Sequence, residues 1–327
     1  MSDRSIKRRE FLARVGLLGG AAAAIGPGAL PAAALPQRPQ GSAPAAGGRA
    51  GRPQFSLAHL TVLGCAPPEM TYIAARAGYD FVSFRLIPMG VAGEATFDLF
   101  NNKETLRQTK AALSSTGLRL HDIEVARIAD GLDPKKFLPA MELAAELGAR
   151  RVITNNWTTD HSFAIDCYGQ LCDLAKPLGL TMDLEFVTFA SGSKTLADAM
   201  AFLRDAKRTN CGILVDTLHF SRSRVTLAEL DAIPREWIHF VHICDAPAEI
   251  PTTNEGLIHT ARDERLYPGE GAIDIAAVVN RLPQVPYSIE IAHLARVKEM
   301  GYAEHAFRCI EAARKYLAAH PRSGAGR

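Results

Sequence analysis

The sequence predicts a single parallel (β/α)8 barrel. Short β-branched and aromatic runs alternate eight times with longer helical segments after Phe55, a rhythm that calls for parallel strands joined by crossover helices. Of the 327 residues, roughly 270 to 290 remain once an export segment is set aside, the size of one such barrel. No Gly-x-Gly-x-x-Gly follows the first strand, so the phosphate-cradling turn of the competing open, doubly wound sheet is missing.

The expected strands are Phe55–Leu63, Tyr79–Ile87, Leu118–Ile128, Arg151–Trp157, Leu180–Thr188, Gly212–Phe220, Trp237–Ala246 and Tyr287–His293. Between them, Thr105–Thr116, Pro134–Leu147, Phe163–Leu178, Leu196–Lys207 and Tyr302–Ala319 carry apolar residues at three- and four-residue spacing, and Gly117, Gly148 and Gly179 stand where helices end. One interval breaks the rhythm. Pro247 to Gly271 is a long polar connection after the seventh strand, read as a lid, and its end carries Arg262 and Arg265, two arginines suited to an anionic or hydroxylated ligand.

Composition narrows the function. Hydrophobic residues make up 47% of the chain and 37 basic side chains face 35 acidic ones, so a large core is available while no strong field exists to draw a polyanion; nucleic acid is not an expected partner. The six cysteines form no Cys-x-x-Cys pair and several lie inside apolar runs, so they read as buried free thiols.

At the start, Lys7-Arg8-Arg9-Glu10-Phe11-Leu12-Ala13 precedes an apolar stretch from Val15 to Ile25 and the small-residue site Ala32-Ala33-Ala34, the order of a signal peptide. The paired arginines followed by Phe-Leu resemble a twin-arginine export signal. The apolar stretch of about 11 to 16 residues is too short to span a bilayer of ~30 Å, so no stable membrane insertion is expected after cleavage. The expected organisation is a signal peptide over residues 1–34, a disordered linker over residues 35–53, and a catalytic barrel over residues 54–320 located in the periplasm.

Acidic and imidazole side chains stand near the carboxyl ends of four successive expected strands: Met182-Asp183-Leu184-Glu185-Phe186, Leu214-Val215-Asp216-Thr217-Leu218-His219, Phe240-Val241-His242-Ile243-Cys244-Asp245 and Ser288-Ile289-Glu290-Ile291-Ala292-His293. Charges inside apolar runs need a compensating partner, and in a barrel these strand ends converge on one mouth. Glu185, Asp216, His242 and Glu290 could therefore surround one divalent cation. Three carboxylates and one imidazole favour Mn2+ first, with Mg2+, Co2+ or Zn2+ tolerated. At other strand ends His59, Arg85, Glu124, Asn155 and Trp157, together with Arg262, are candidates to bind the substrate. Each also has a plain structural alternative: His59 as a core histidine, Arg85 paired with Glu124, Trp157 capping the core.

Glu on the fifth strand, Asp-x-x-His on the sixth, His on the seventh, Glu on the eighth and Pro-Gly-Glu-Gly-x-Ile-Asp at Pro268 to Asp274 resemble the xylose-isomerase-like superfamily of sugar (phosphate) isomerases and epimerases. The resemblance implies that Glu185, Asp216, His242 and Glu290 are metal ligands, that Glu185 and Glu290 double as acid and base, and that His219 faces the substrate or supports a ligand. It implies an isomerase or epimerase of a small carbohydrate-like substrate. The alternatives are a lyase in the same frame, acting on a 3-keto-glycoside, an inosose or a dehydroshikimate-like ring, and a non-catalytic sugar-binding protein. An arginine that often follows the strand-seven histidine in the superfamily's epimerases is replaced here by Ala248 and Glu249. A homo-oligomer is left open.

Overall fold

Eight parallel strands close on themselves in chain order, the last pairing with the first, in the computed structural model, which describes residues 52–91 and 93–322. The strands are β1 (Phe55–Leu57), β2 (Phe81–Phe84), β3 (Arg119–Ile128), β4 (Arg151–Asn156), β5 (Thr181–Glu185), β6 (Cys211–Asp216), β7 (Val241–Ile243) and β8 (Tyr287–Ile289). Five helices alternate with the first six strands: α1 (Pro67–Ala77), α2 (Lys103–Thr116), α3 (Leu138–Glu146), α4 (His161–Ala175) and α5 (Leu196–Ala206). Two short helices follow β6, α6 (Thr217–Arg222) and α7 (Leu227–Leu230), and two follow β7, α8 (Asn254–Asp263) and α9 (Ile275–Arg281). α10 (Leu294–Ala319) ends the barrel and is interrupted at Gly301, whose φ of 79° leaves the helical region. The export segment over residues 1–34 and nearly all of the linker over residues 35–53 lie outside the described residues. Among the described residues, no helix is long and apolar enough to cross a membrane.

Local chemistry explains the helix ends. Asn102, Asp160 and Thr195 each accept a backbone N–H of the following first turn, and Thr195 with Asp198 forms a reciprocal capping box. Gly117, Gly148 and Gly179 all take positive φ, the conformation for which a terminating glycine is used. The six cysteines are free and buried.

The observed strands are shorter than their apolar runs. After β1 the chain turns into a 3-10 segment, His59–Val62, and the run through β6 becomes α6, started by the Asp216 carboxylate accepting the Leu218 N–H at 2.7 Å. A buried run stays apolar whether its backbone is extended or helical, so composition alone overextends these strands. The connection after β7 is likewise built rather than loose. It contains α8, capped by Thr253, which buries Thr260 and Ala261, and the chain then pairs antiparallel with its own start through Asp245 and Leu266.

Inward-facing residues form layers along the barrel axis. At the bottom, Asp183 is hydrogen-bonded to His239 at 2.5 Å, and Ser83 donates to Asp122 at 2.6 Å. Above them Val125, Ile153, Leu214 and Phe240 make a separate apolar plug. The next inward positions on β5, β6 and β7 are Glu185, Asp216 and His242, so the plug is the floor of the mouth. At the rim, the Asp245 carboxylate ties down the Pro-Gly-Glu-Gly turn by accepting from Gly269, Gly271 and Ile273 at 3.0, 3.0 and 2.9 Å. A methyl group at Gly271 would overlap the Ala246 carbonyl and this carboxylate. Gly271→Ala is expected to lower stability by about 1–3 kcal/mol through overpacking, read as a lower melting temperature; an unchanged melt would show that the turn yields freely.

Candidate metal centre

Glu185 ends β5, Asp216 ends β6, His242 is central in β7 and Glu290 directly follows β8. The ladder sets Asp216 beside His242, and His242 beside Ser288, two residues before Glu290. All four side chains are buried, and one ligand atom from each lies within 4.8 Å of the others. His242 Nδ1 is 3.3 Å from a Glu290 oxygen and 3.6 Å from Glu185. Both His242 ring nitrogens and Glu185 Oε1 are buried with no hydrogen-bond partner. Orphaned donor atoms converging on one point, three of the four residues being carboxylates, fit a divalent cation with oxygen preference.

A fifth residue completes the charge balance. Arg265, fully enclosed, donates through Nη1 to Asp216 Oδ2 at 2.7 Å and through Nη2 to Glu290 Oε2 at 2.8 Å, while Nε reaches the Ala261 carbonyl at 2.8 Å. The sequence offers Arg265, with Arg262, to an anionic or hydroxylated ligand, whereas the structure pairs it with Asp216 and Glu290, a partnership between segments far apart in the chain. With a dication bound, three carboxylates, the ion and one guanidinium would sum to zero.

The two glutamates are driven apart in proton affinity. Burial, reinforced by Glu290 and Asp216, raises Glu185 to about 7 against the pull of His242. Burial also works to raise Glu290, but Arg265 and His242 outweigh it and hold this carboxyl well below the usual range. Burial disfavours the charged form of His242, yet Glu290 and Glu185 raise its pKa. His219, whose ring meets Phe189 at 5.6 Å, is lowered to about 4 by burial, with Arg265 and His242 adding, against the attraction of Asp216. It is a neutral imidazole near pH 7.

The structure brings Arg85, Asn155, Trp157, His219 and Arg262 to the lining of the cup above Glu185 and Glu290. Asn155 accepts the Trp157 indole N–H at 2.8 Å, and Arg85 is held by Glu124 at 2.6 and 3.0 Å. His59 and Glu124, expected to bind substrate, stand behind Arg85 and are not among the residues that line the cup. His59 uses Nε2 on the Cys65 carbonyl and accepts the Arg85 N–H on Nδ1, so neither nitrogen is free, and Glu124 lies buried beneath Arg85 as its counter-ion. Asp183 sits one layer deeper on His239 rather than on His242, and His293 caps α10. Phe189 and Val187 also line the cup; they follow β5, where nothing in composition separates a pocket wall from ordinary core.

The family model for the xylose isomerase-like TIM barrel matches residues 72–313, and the chain belongs to that family. It is similar to the inosose isomerase of Bacillus subtilis strain 168, 24% identical over 189 residues, covering 55% of this chain and 66% of that one. It is also similar to the 3-dehydroshikimate dehydratase of Pseudomonas aeruginosa PAO1, 24% identical over 254 residues, 73% of this chain and 38% of that one. The matches span between about half and two thirds of the length of the first inosose isomerases found. In fold, the chain is like the IOLI protein crystallised with a zinc atom, with a TM-score of 0.67 at 19% identity over 82% of this chain and 99% of that one.

Two outcomes follow from the charges. Arg265→Met leaves two buried carboxylates uncompensated, so the metal-free protein should lose about 3–5 kcal/mol, while added Mn2+ should raise its melting temperature more than it raises that of the wild type; equal shifts in both proteins would contradict the charge balance. His59, His219 and His305 are each lowered from 6.5 to about 4, burial being the largest cause. The unfolded chain therefore binds more protons than the folded one between these values, and stability present above pH 6.5 is lost as pH falls toward 4. Each histidine should cost about 2 kcal/mol on going from pH 7 to pH 5, so a His305→Gln variant, away from the carboxylate cluster, should lose correspondingly less stability between the two pH values than the wild type; the same loss in urea midpoint for both proteins would refute this.

Proposed function

We propose that this protein is a divalent-metal-dependent isomerase or epimerase of a sugar or keto-sugar. The observation that carries the reading is the pair Glu185 and Glu290, contributed from strands three places apart, meeting at one buried cluster with Asp216 and His242. The cation, held by Glu185, Asp216, His242 and Glu290, would supply polarisation of adjacent carbonyl and hydroxyl oxygens, making the C–H between them acidic. Mn2+ is the first choice for this donor set, and the zinc of the fold neighbour supports a divalent ion more generally.

Glu185 and Glu290 are the carboxyl groups placed to exchange protons with a substrate in the cup, and Glu290 is in addition paired with Arg265. Inversion of a carbon needs one glutamate, as a carboxylate, to take the C–H proton and the other, carrying a proton, to return one to the opposite face; a proton given back by the same glutamate to the neighbouring carbon, with the hydroxyl proton passing to the former carbonyl oxygen, moves the carbonyl. Trp157 and Phe189 supply apolar walls to the cup, and Asn155 and Arg262 offer hydrogen bonds to hydroxyl groups.

A second reading, a dehydratase or other lyase acting on a keto-ring, draws support from the similarity to a 3-dehydroshikimate dehydratase across 73% of this chain. It needs a proton donor for the leaving hydroxyl. Neutral His219 is poorly suited to that task, which favours the isomerase.

Incubating the Mn2+-loaded protein with keto-sugars and inososes in deuterated water separates the two. The expected result is deuterium at a carbon beside the carbonyl with the skeleton intact, reduced about 10²–10⁴-fold in Glu185→Gln. Release of water or an alcohol would establish the lyase, and absence of exchange with every substrate would end the enolisation reading.

A further inference from the structure

Four arginines gather at the barrel mouth, and two of them have counter-ions. Arg265 is bound by Asp216 and Glu290, and Arg85 by Glu124 at 2.6 Å with Glu94 at 3.6 Å. Arg127 and Arg262 differ. Both are half-buried, and among the described residues neither has a carboxylate within ion-pairing distance. Arg127 lies over the Trp157 ring at 4.6 Å, its Nε is buried without a hydrogen-bond partner, and the nearest polar atom to its Nη2 is the Met89 sulfur at 3.9 Å. Arg262, from the end of α8, makes no side-chain hydrogen bond among the described residues and lines the cup with Trp157 and Arg265.

The two guanidiniums face connected spaces. Arg127 borders a cavity of about 660 Å³ that shares Met89 and Val125 with the metal cup, and Lys136 stands on the same wall. Each charge also works against the other: burial lowers the pKa of Arg127, and after burial the next cause is Arg262. A partly desolvated guanidinium without a partner is costly, and a second one nearby adds repulsion. An oxyanion between them would remove both penalties through charge-assisted hydrogen bonds, and the planar fork of arginine suits carboxylate and phosphate alike.

We propose that the substrate is an anion, a hydroxylated ring or chain whose carboxylate or phosphate is gripped by Arg127 and Arg262 at the edge of the metal cup, beside Trp157. The inference rests on the cup being the reacting site, and it deepens that reading by fixing the charge of what enters. Because Arg265 is paired with Asp216 and Glu290, and Arg85 is already countered by Glu124 and Glu94, the selectivity for an anion resides in these two side chains. The hydroxylated end is then directed toward Glu185 and Glu290, and the space beside Arg127 receives the rest.

Calorimetric titration of the Mn2+-loaded full chain with D-glucuronate, its uncharged methyl ester, 3-dehydroshikimate and inorganic phosphate tests this. At least one of the three anions should bind about tenfold or more tightly than the neutral ester, with affinity falling as salt rises. Arg127→Gln and Arg262→Gln should each remove about tenfold of that preference, Arg262→Lys should retain part of it, and the ester should bind all variants alike. Melting temperature and metal content at wild-type levels show that the variants are folded. Stronger binding of the carboxylates than of phosphate identifies a carboxylate substrate, and the reverse identifies a phosphate. Equal affinity for anions and ester, or anion binding unchanged in both Gln variants, overturns the proposal. Deuterium exchange on neutral keto-sugars without any preference for anions would sink the clamp and leave the enolising cup standing; anion binding lost in the Gln variants, with no exchange on any substrate, would do the opposite.

Discussion

Three carboxylates packed within a few ångströms inside a barrel cannot all remain charged unless cations meet them, and the rest of the site is organised around that constraint. Arg265 answers part of it by bonding to Asp216 and Glu290. A divalent ion would answer the remainder, and the orphaned atoms of His242 and Glu185 point to where it would be held. Arg265 can reach the centre only because the chain after β7 returns across the mouth. The Asp245–Leu266 bridge and the Asp245 grip on the Pro-Gly-Glu-Gly turn hold that return in place. The turn motif, remote from the reacting atoms, thus acts on the chemistry by fixing a guanidinium.

The uneven reach of Arg265 also separates the two glutamates. It touches Glu290 and not Glu185, so two carboxylates in one cluster differ in proton affinity without any difference in residue type. His219 follows the same logic in reverse, since burial beside cations keeps it neutral.

The convergence of the four candidate ligands was legible from the chain because strand parity and strand order suffice to place four polar residues at one barrel mouth. Glu185, Asp216, His242 and Glu290 each interrupt an apolar run at the carboxyl end of a strand, where an unpaired charge is costly. His59 and Glu124 obey the same positional rule, yet the structure engages them beneath Arg85. Position on a strand does not tell whether a polar atom is already satisfied by a neighbour. Arg127 and Arg265 show the converse, for their importance depends on which carboxylates they meet or fail to meet, and those are far away along the chain.

By itself, then, the sequence determined the repeating strand–helix order, the helix ends marked by Asn102, Asp160, Thr195 and their glycines, and the residues offered to a metal, because each of these follows from local periodicity, capping chemistry or the cost of burying charge. Only the tertiary structure decided where strands gave way to turns, that the connection after β7 folds into α8, and which arginine pairs with Asp216 and Glu290 while two others, among the described residues, stand without counter-ions. Those outcomes depend on distances between segments separated by tens to hundreds of residues, and electrostatic pairing is set by such distances rather than by neighbours in the chain.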